Sequence, residues 1–237
     1  MRRVAYCWAV IPAAGVGRRF GAGIPKQYLE LAGRLVIEHA VGVVLGHPRI
    51  EGVVVALDPE DAYWARTALA GHHGIIRADG GAERCHSVLN ALGVLAACAD
   101  DDDWVLVHDA ARPCLRAADV DRLLNALRDH PVGGLLGVPV RDTMKEAGAG
   151  NSVLRTVRRD RLWHAFTPQM FRLGLLRRAL GDALGQGRLV TDDASAIERM
   201  GLAPLLVEGH ADNIKITRPE DLPLARFFLE QQGGLCG

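Results

Sequence analysis

Five short, continuously apolar runs, separated by segments with helical periodicity, restrict this chain more than any other feature. The runs are Val4–Ile11, Gly52–Leu57, Ile75–Ala78, Trp104–Val107 and Gly134–Val138. Between them, Leu35–Leu45, Pro59–Leu69, Glu83–Cys98 and Ala118–Leu127 repeat apolar residues at the spacing of one helix face. Strands apolar on both faces, alternating with helices, predict an α/β fold: a Rossmann-like, doubly wound and mostly parallel sheet covered on both sides. Such sheets take ligands beyond the carboxyl ends of their strands. The Ala/Gly segment after the first run, Asp58, Asp79-Gly80-Gly81 and His108-Asp109 all fall at such ends. They are expected to converge on one rim.

The rhythm changes at Pro139. From Arg141 to about Arg161 the chain is polar and glycine-containing, with weak alternation in Val153–Val157. This predicts an inserted β-arm at about 139–161, a device for contact between two copies. Helices follow at Arg172–Leu184 and Asp192–Met200, then a strand at Pro204–Val207 and a helix at Pro219–Gln231. Pro219 suits the first helical turn, with Thr217 or Arg218 just outside it. No repeat or linker interrupts the pattern, so residues 1–237 are read as a single domain with an arm.

Charge narrows the partners. Lys plus Arg and Asp plus Glu number 28 each, so no net field favours nucleic acid or an anionic membrane. Five cysteines show no CxxC pair, which fits reduced thiols in the cytoplasm and does not indicate zinc. No apolar stretch approaches the roughly 18 residues of a membrane span. Met1-Arg2-Arg3 followed by VAYCWAVIPAAG imitates a short secretory signal. Cleavage there would remove the strand that aims the following loop, so the segment is read as a strand.

That loop runs Pro12-Ala-Ala-Gly-Val-Gly-Arg-Arg-Phe-Gly-Ala-Gly-Ile-Pro-Lys26. Ala13, Ala14, Gly15 and Gly17 let a ligand reach the backbone, whose N–H groups cradle phosphate oxygens. Arg18, Arg19 and Lys26 then supply three cations for a polyphosphate. The common motifs fail here. A Rossmann fingerprint needs glycine at Phe20 and an acid about 20 residues onward. A P-loop needs Gly-Lys-Ser/Thr, whereas Lys26 lies between Pro25 and Gln27.

Asp109 ends an apolar run and suits Mg²⁺, which binds through one or two carboxylates plus substrate phosphates. Capping of the next helix is its plain alternative. Arg112 suits a phosphate. His108 is read as structural, oriented by a neighbouring carboxylate, and the acidic run Asp100–Asp103 as a solvated loop. In Asp79-Gly-Gly-Ala-Glu-Arg-Cys-His-Ser87, two glycines admit a flat ring and the Ser87 hydroxyl suits its polar edge; a plain helix N-terminus with capping residues is the alternative. Thr143, Lys145, Arg158, Arg159, Thr167, Thr191, Asp212 and Lys215 are each ordinary surface features alone, and only together add hydroxyls and charges suited to a small phosphorylated polyol.

PAAGVGRR, PKQY, DGGxxRxxSV, VHDAARP, RDTMK, TVxR, LWHAFTPQ, TDDASA and ADNIKITRPEDL stand in this order. With them the chain closely resembles the 2-C-methyl-D-erythritol 4-phosphate cytidylyltransferases, CTP-using enzymes of non-mevalonate isoprenoid synthesis. VHDAARP, RDTMK and ADNIK discriminate best; the glycine loop is common to nucleotide-diphospho-sugar transferases. The resemblance implies that residues 13–19, including Gly15, Gly17 and Arg18, hold the triphosphate, with Arg19 and Lys26 stabilising the transition state. It assigns Ala13, Ala14, Gly81, Ala82 and Ser87 to cytosine, and Asp109 to the magnesium nucleotide and acceptor. Arg112, Thr167, Thr191, Asp212 and Lys215 are to surround the acceptor. Thr143 and Arg159 are to reach it from the arm of the other subunit of a homodimer. Ala82, Cys85 and His86 are this chain's own choices where family members vary.

The implied chemistry is attack by the acceptor's phosphate oxygen on the α-phosphorus of CTP, with Mg²⁺, releasing pyrophosphate. The nearest alternative is a sibling transferase acting on ribitol phosphate or another polyol phosphate. A non-catalytic nucleotide-binding regulator is the alternative of a different class, and NAD chemistry is disfavoured by the failed fingerprint.

Overall fold

The computed structural model describes residues 5–15 and 24–233. Gly17, Arg18 and Arg19 lie outside the described residues.

The first run forms strand β1 (Cys7–Pro12), and a small hairpin, β2 (Glu30–Leu31) with β3 (Arg34–Leu35), leads into helix α1 (Val36–Leu45). Then come β4 (Val53–Leu57), β5 (Ile75–Asp79), α2 (Arg84–Leu95), β6 (Trp104–Val107), α3 (Ala117–Leu127) and β7 (Gly133–Pro139). The hairpin β8 (Met144–Ala147) with β9 (Val153–Val157) precedes β10 (Trp163–Arg172). The chain closes with α4 (Leu173–Gly185), α5 (Asp193–Arg199), β11 (Leu205–Glu208) and α6 (Asp221–Gly233).

Seven strands form one sheet in the order β11-β7-β10-β6-β1-β4-β5. All neighbours are parallel except β10, which runs antiparallel to both β6 and β7. Alternation along each strand feeds two cores. Ile11, Val55 and Leu57 face α1 and α3, whereas Val10, Val54 and Val107 face α2, α4 and α5. Each large apolar side chain so buried contributes roughly 1.5–3 kcal/mol. A third, smaller cluster (Leu31, Val36, Cys114, Ile216, Ala225) seats α6. Among the described residues no helix is long and apolar enough to cross a membrane.

Three expectations need correction. Residues 59–69 hold only a short 3-10 turn at Trp64–Arg66. Asp58 and Asp61 carboxylates accept the backbone N–H groups of Glu60, Tyr63 and Trp64, turns that compete with a helix. The acidic run is not wholly solvated. Asp103 is buried and its two oxygens accept from the N–H groups of Tyr6 and Asp100 at 2.9 and 3.0 Å. The last helix begins at Asp221, two residues beyond Pro219, and the Asp221 carboxylate accepts the N–H groups of Thr217 and Arg218 in the turn that leads into it.

Strand β10 is not foreseen from the sequence. Thr167-Pro168 interrupts its alternation, and the pairing with β7 shifts register between Ala165 and Gln169. An irregularity of this kind is where a strand tolerates a residue without an N–H. Within the stretch expected to form an arm, β8 and β9 pair as an antiparallel hairpin, and the Val153 and Leu154 side chains are exposed.

Candidate active site

The carboxyl ends of β1, β4, β5 and β6 meet at a cavity of about 560 Å³. Ala13, Ala14 and Gly15 line one side, Gly81, Ala82 and Ser87 another, and Asp58, Asp109, Lys26 and Lys215 complete its polar wall. The expected convergence therefore holds for the described residues. Small residues line the floor, while three cations, Lys26, Arg84 and Lys215, border it.

Two loops shape that floor by touching each other. A Cβ at Gly80 would lie 2.1 Å from the Ala14 Cβ, and one at Gly81 would lie 2.4 Å from the His86 Cβ. Packing against Ala14 and His86 thus already requires glycine at both positions. Ser87 likewise turns inward. It is buried, its Oγ accepts the Gly81 N–H at 3.0 Å, and it fixes the backbone of the 80–83 turn.

Gln27, which the sequence reading left without a role, secures the first loop. Its buried Nε2 donates to the carbonyls of Ala13 at 2.7 Å and Gly15 at 3.1 Å. Lys26, one residue earlier, donates from Nζ to the Ile216 carbonyl at 2.8 Å. That bond joins the glycine loop to the segment carrying Lys215. An amide between a cation and an aromatic, directly after Pro25, was the available signal.

Asp109 carries the electrostatics. Its Oδ1 accepts Arg84 Nε at 2.8 Å, its Oδ2 accepts Lys215 Nζ at 2.6 Å, and Arg112 Nε stands 3.8 Å away. Burial alone would raise this carboxyl. Arg84, then Lys215, outweigh it and hold the group well below the usual carboxylate range. Arg84 was also missed by the sequence reading. Its other edge is bound by Asp193 at 3.1 and 2.8 Å. Burial opposes its charge, but Asp193 and then Asp109 overcome this and keep the guanidinium above its ordinary range.

Behind the wall lies a closed hydrogen-bond circuit. The Asp109 N–H donates to Thr167 Oγ1 at 3.0 Å, and that hydroxyl meets His108 Nδ1 at 3.0 Å. His108 Nε2 reaches the Arg112 carbonyl at 3.0 Å. A carbonyl only accepts, so Nε2 carries the proton and Nδ1 accepts from Thr167. Arg112 donates to the Asn213 carbonyl at 2.7 Å, and Asn213 Nδ2 returns to the Thr167 carbonyl at 2.8 Å. His108 is structural as expected, but Thr167 and the Arg112 carbonyl orient it rather than a carboxylate.

Burial pushes His108 from 6.5 down to about 4. Across that interval the unfolded imidazole binds a proton that the folded one refuses. Stability therefore rises with pH through the window and is lost as pH falls through it, by about 3 kcal/mol in all. Urea denaturation at about pH 7 and about pH 4.5 measures the slope. His108→Gln should flatten it, and an unchanged slope would remove the assignment.

The other expected residues lie off the cavity surface. Thr167 and Arg112 are buried in the circuit, and Arg112 stacks 4.8 Å from the Phe166 ring. Asp212 turns to Arg116 Nε at 3.0 Å and Gln232 Nε2 at 3.1 Å. Thr191 is exposed before α5, and Thr143 and Arg159 are exposed at the base of the hairpin. The Arg159 guanidinium donates to the Arg141 carbonyl.

A magnesium ion fits this wall as one brought in with a polyphosphate. Each Asp109 oxygen keeps a lone pair beyond its cation, and Mg²⁺ needs only one or two carboxylates when phosphates supply the rest. Among the described residues no group of three or more His, Cys, Asp or Glu could hold an ion alone.

Comparison with known proteins places this geometry. The 2-C-methyl-D-erythritol 4-phosphate cytidylyltransferase of Pseudomonas fluorescens (strain SBW25) is 57% identical over 221 residues, covering 93% of this chain and 94% of that protein. The Pseudomonas putida (strain GB-1) protein of the same description is 59% identical over 220 residues, covering 92% and 94%. Among solved structures, the 2-C-methyl-D-erythritol 4-phosphate cytidylyltransferase of Francisella tularensis superposes with a TM-score of 0.83 at 36% identity, covering 94% of this chain and all of that one. A 4-diphosphocytidyl-2C-methyl-D-erythritol synthase superposes equally well, with a TM-score of 0.83 at 38% identity over 96% of this chain and 99% of that one. With its family profile matched from residue 7 to residue 231, this chain belongs to the 2-C-methyl-D-erythritol 4-phosphate cytidylyltransferase family.

Proposed function

We propose that this protein transfers a cytidylyl group from CTP to 2-C-methyl-D-erythritol 4-phosphate, releasing pyrophosphate, in the synthesis of isoprenoid precursors in the cytoplasm. The observation that carries the reading is one cavity in which the Ala and Gly residues after β1 and β5 face Lys26 and Lys215. The floor suits a flat base and a phosphate chain, and the cations suit two phosphorylated substrates.

An oxygen of the acceptor phosphate attacks the α-phosphorus of CTP. A new P–O bond forms as the bond from that phosphorus to the bridging oxygen breaks, and pyrophosphate leaves. The nucleophile is already anionic, so no base is needed, and the buried neutral His108 transfers no proton. The protein positions both phosphates and neutralises charge that grows at the α-phosphorus. Lys26 does so from the glycine loop, joined on the family resemblance by Arg19. Lys215 and Asp109 orient the acceptor. Asp109 would hold Mg²⁺, which when bound offsets phosphate charge as a Lewis acid.

The arm completes the site in a homodimer. Thr143 and Arg159, exposed at the hairpin base, serve the partner's acceptor. Mixing a Lys26→Ala protein with an Arg159→Ala protein should then recover part of the lost activity, because one site in the mixed dimer has both residues. No recovery in verified mixed dimers refutes shared sites. Pyrophosphate release from CTP with methylerythritol phosphate, run beside ribitol phosphate, tests the function itself. Preference for ribitol phosphate would replace the acceptor, and CTP binding without release would leave a regulator.

A further inference from the structure

Asp193, the first residue of α5, is fully buried and does not line the cavity. It holds both Nη atoms of Arg84, one on each carboxylate oxygen, at 3.1 and 2.8 Å. Arg84 is left with Nε for Asp109 Oδ1 at 2.8 Å, and Lys215 takes Asp109 Oδ2 at 2.6 Å. The charges alternate from core to cavity: Asp193, Arg84, Asp109, Lys215.

We propose that Asp193 is a positioning residue that divides Asp109 between its two cations and thereby sets where Lys215 stands in the cavity. A guanidinium favours a two-oxygen grip on a carboxylate, whereas an ammonium acts as a point charge. Arg84 with free Nη atoms would take both oxygens of Asp109 and displace Lys215. Asp193 prevents this by occupying that edge first. Asp193 is itself held firmly. Gln169 on β10 donates to Asp192 Oδ2 at 2.9 Å and accepts the Ala194 N–H at 2.7 Å, bracketing it on both sides. Lys215 is the movable member, with its side chain 38% exposed against 1% for Asp193.

The inference rests on the acceptor role proposed for Lys215. Its test uses the full chain, steady-state kinetics, calorimetric CTP binding and crystal structures. Asp193→Asn should raise the acceptor KM on the order of tenfold or more, with kcat and CTP affinity within about threefold. Arg84→Lys keeps the charge but cannot span two carboxylates, so it should give the same split even if Asp193→Asn folds poorly. Combined with Arg84→Gln, Asp193→Asn should add nothing further, since it acts through Arg84. Equal loss for both substrates, additive effects, or an Asp193→Asn structure retaining the Lys215–Asp109 contact would overturn the proposal. If the unaltered protein transfers no cytidylyl group, the proposed function fails. The structural comparison still decides the role of Asp193.

Discussion

Lys26→Ala lowers turnover on the order of a few hundredfold, about 3–4 kcal/mol of barrier, and leaves the fold standing. The size follows from what the reaction lacks. With an anionic nucleophile and no base, rate depends on fixed positive charge at the α-phosphorus, and each such group carries a large share. Lys26 is placed for this by two constraints. Its ammonium is tethered to the Ile216 carbonyl, and the adjacent Gln27 amide locks the loop opposite. The side chain is only partly buried, so its loss removes little packing. Pyrophosphate release measures the rate and thermal unfolding reports the fold. A near-normal rate would strip Lys26 of its catalytic part.

Asp109→Ala costs about 3–5 kcal/mol of stability as well as activity, the range expected when a buried ion pair loses one partner. The cost arises from what remains. Arg84 and Arg112 are largely buried and Lys215 leans in, so three cations would face one another across the vacated position. Urea denaturation gives the stability. Adding Lys215→Met to Asp109→Ala should recover part of it by removing one of the repelling charges. A double variant as unstable as the single one would show that repulsion is not the cause.

The strands around the site were legible because their chemistry is local. Trp104–Val107 is apolar throughout and is a strand with those same bounds. β1, β4 and β5 fall within a few residues of the expected runs, and their ends meet as anticipated. Strand β10 was hidden because it depends on a register shift about Pro168 that only its two neighbours define. Residues 59–69 misled for the opposite reason. Their apolar spacing is helical, yet Asp58 and Asp61 capture the backbone locally.

Within the site, residues singled out by their charge come together: Lys26, Asp109 and Lys215 line one cavity. Those that work through a partner distant in sequence were not. Arg84 acquires its meaning from Asp109 and Asp193, which are 25 and 109 positions away. Gln27 looks like any surface amide until the chain folds its side chain under Ala13.

The mutual contact of Ala14 and Gly80 has a bearing on inhibitor design. A compound seated on this floor would touch main-chain atoms whose identity no codon change alters, beside Gly80 and Gly81, where an added Cβ would meet the Ala14 or His86 Cβ. Escape at those two glycines would disturb the loops themselves, and escape at the charged rim would also weaken the natural substrates.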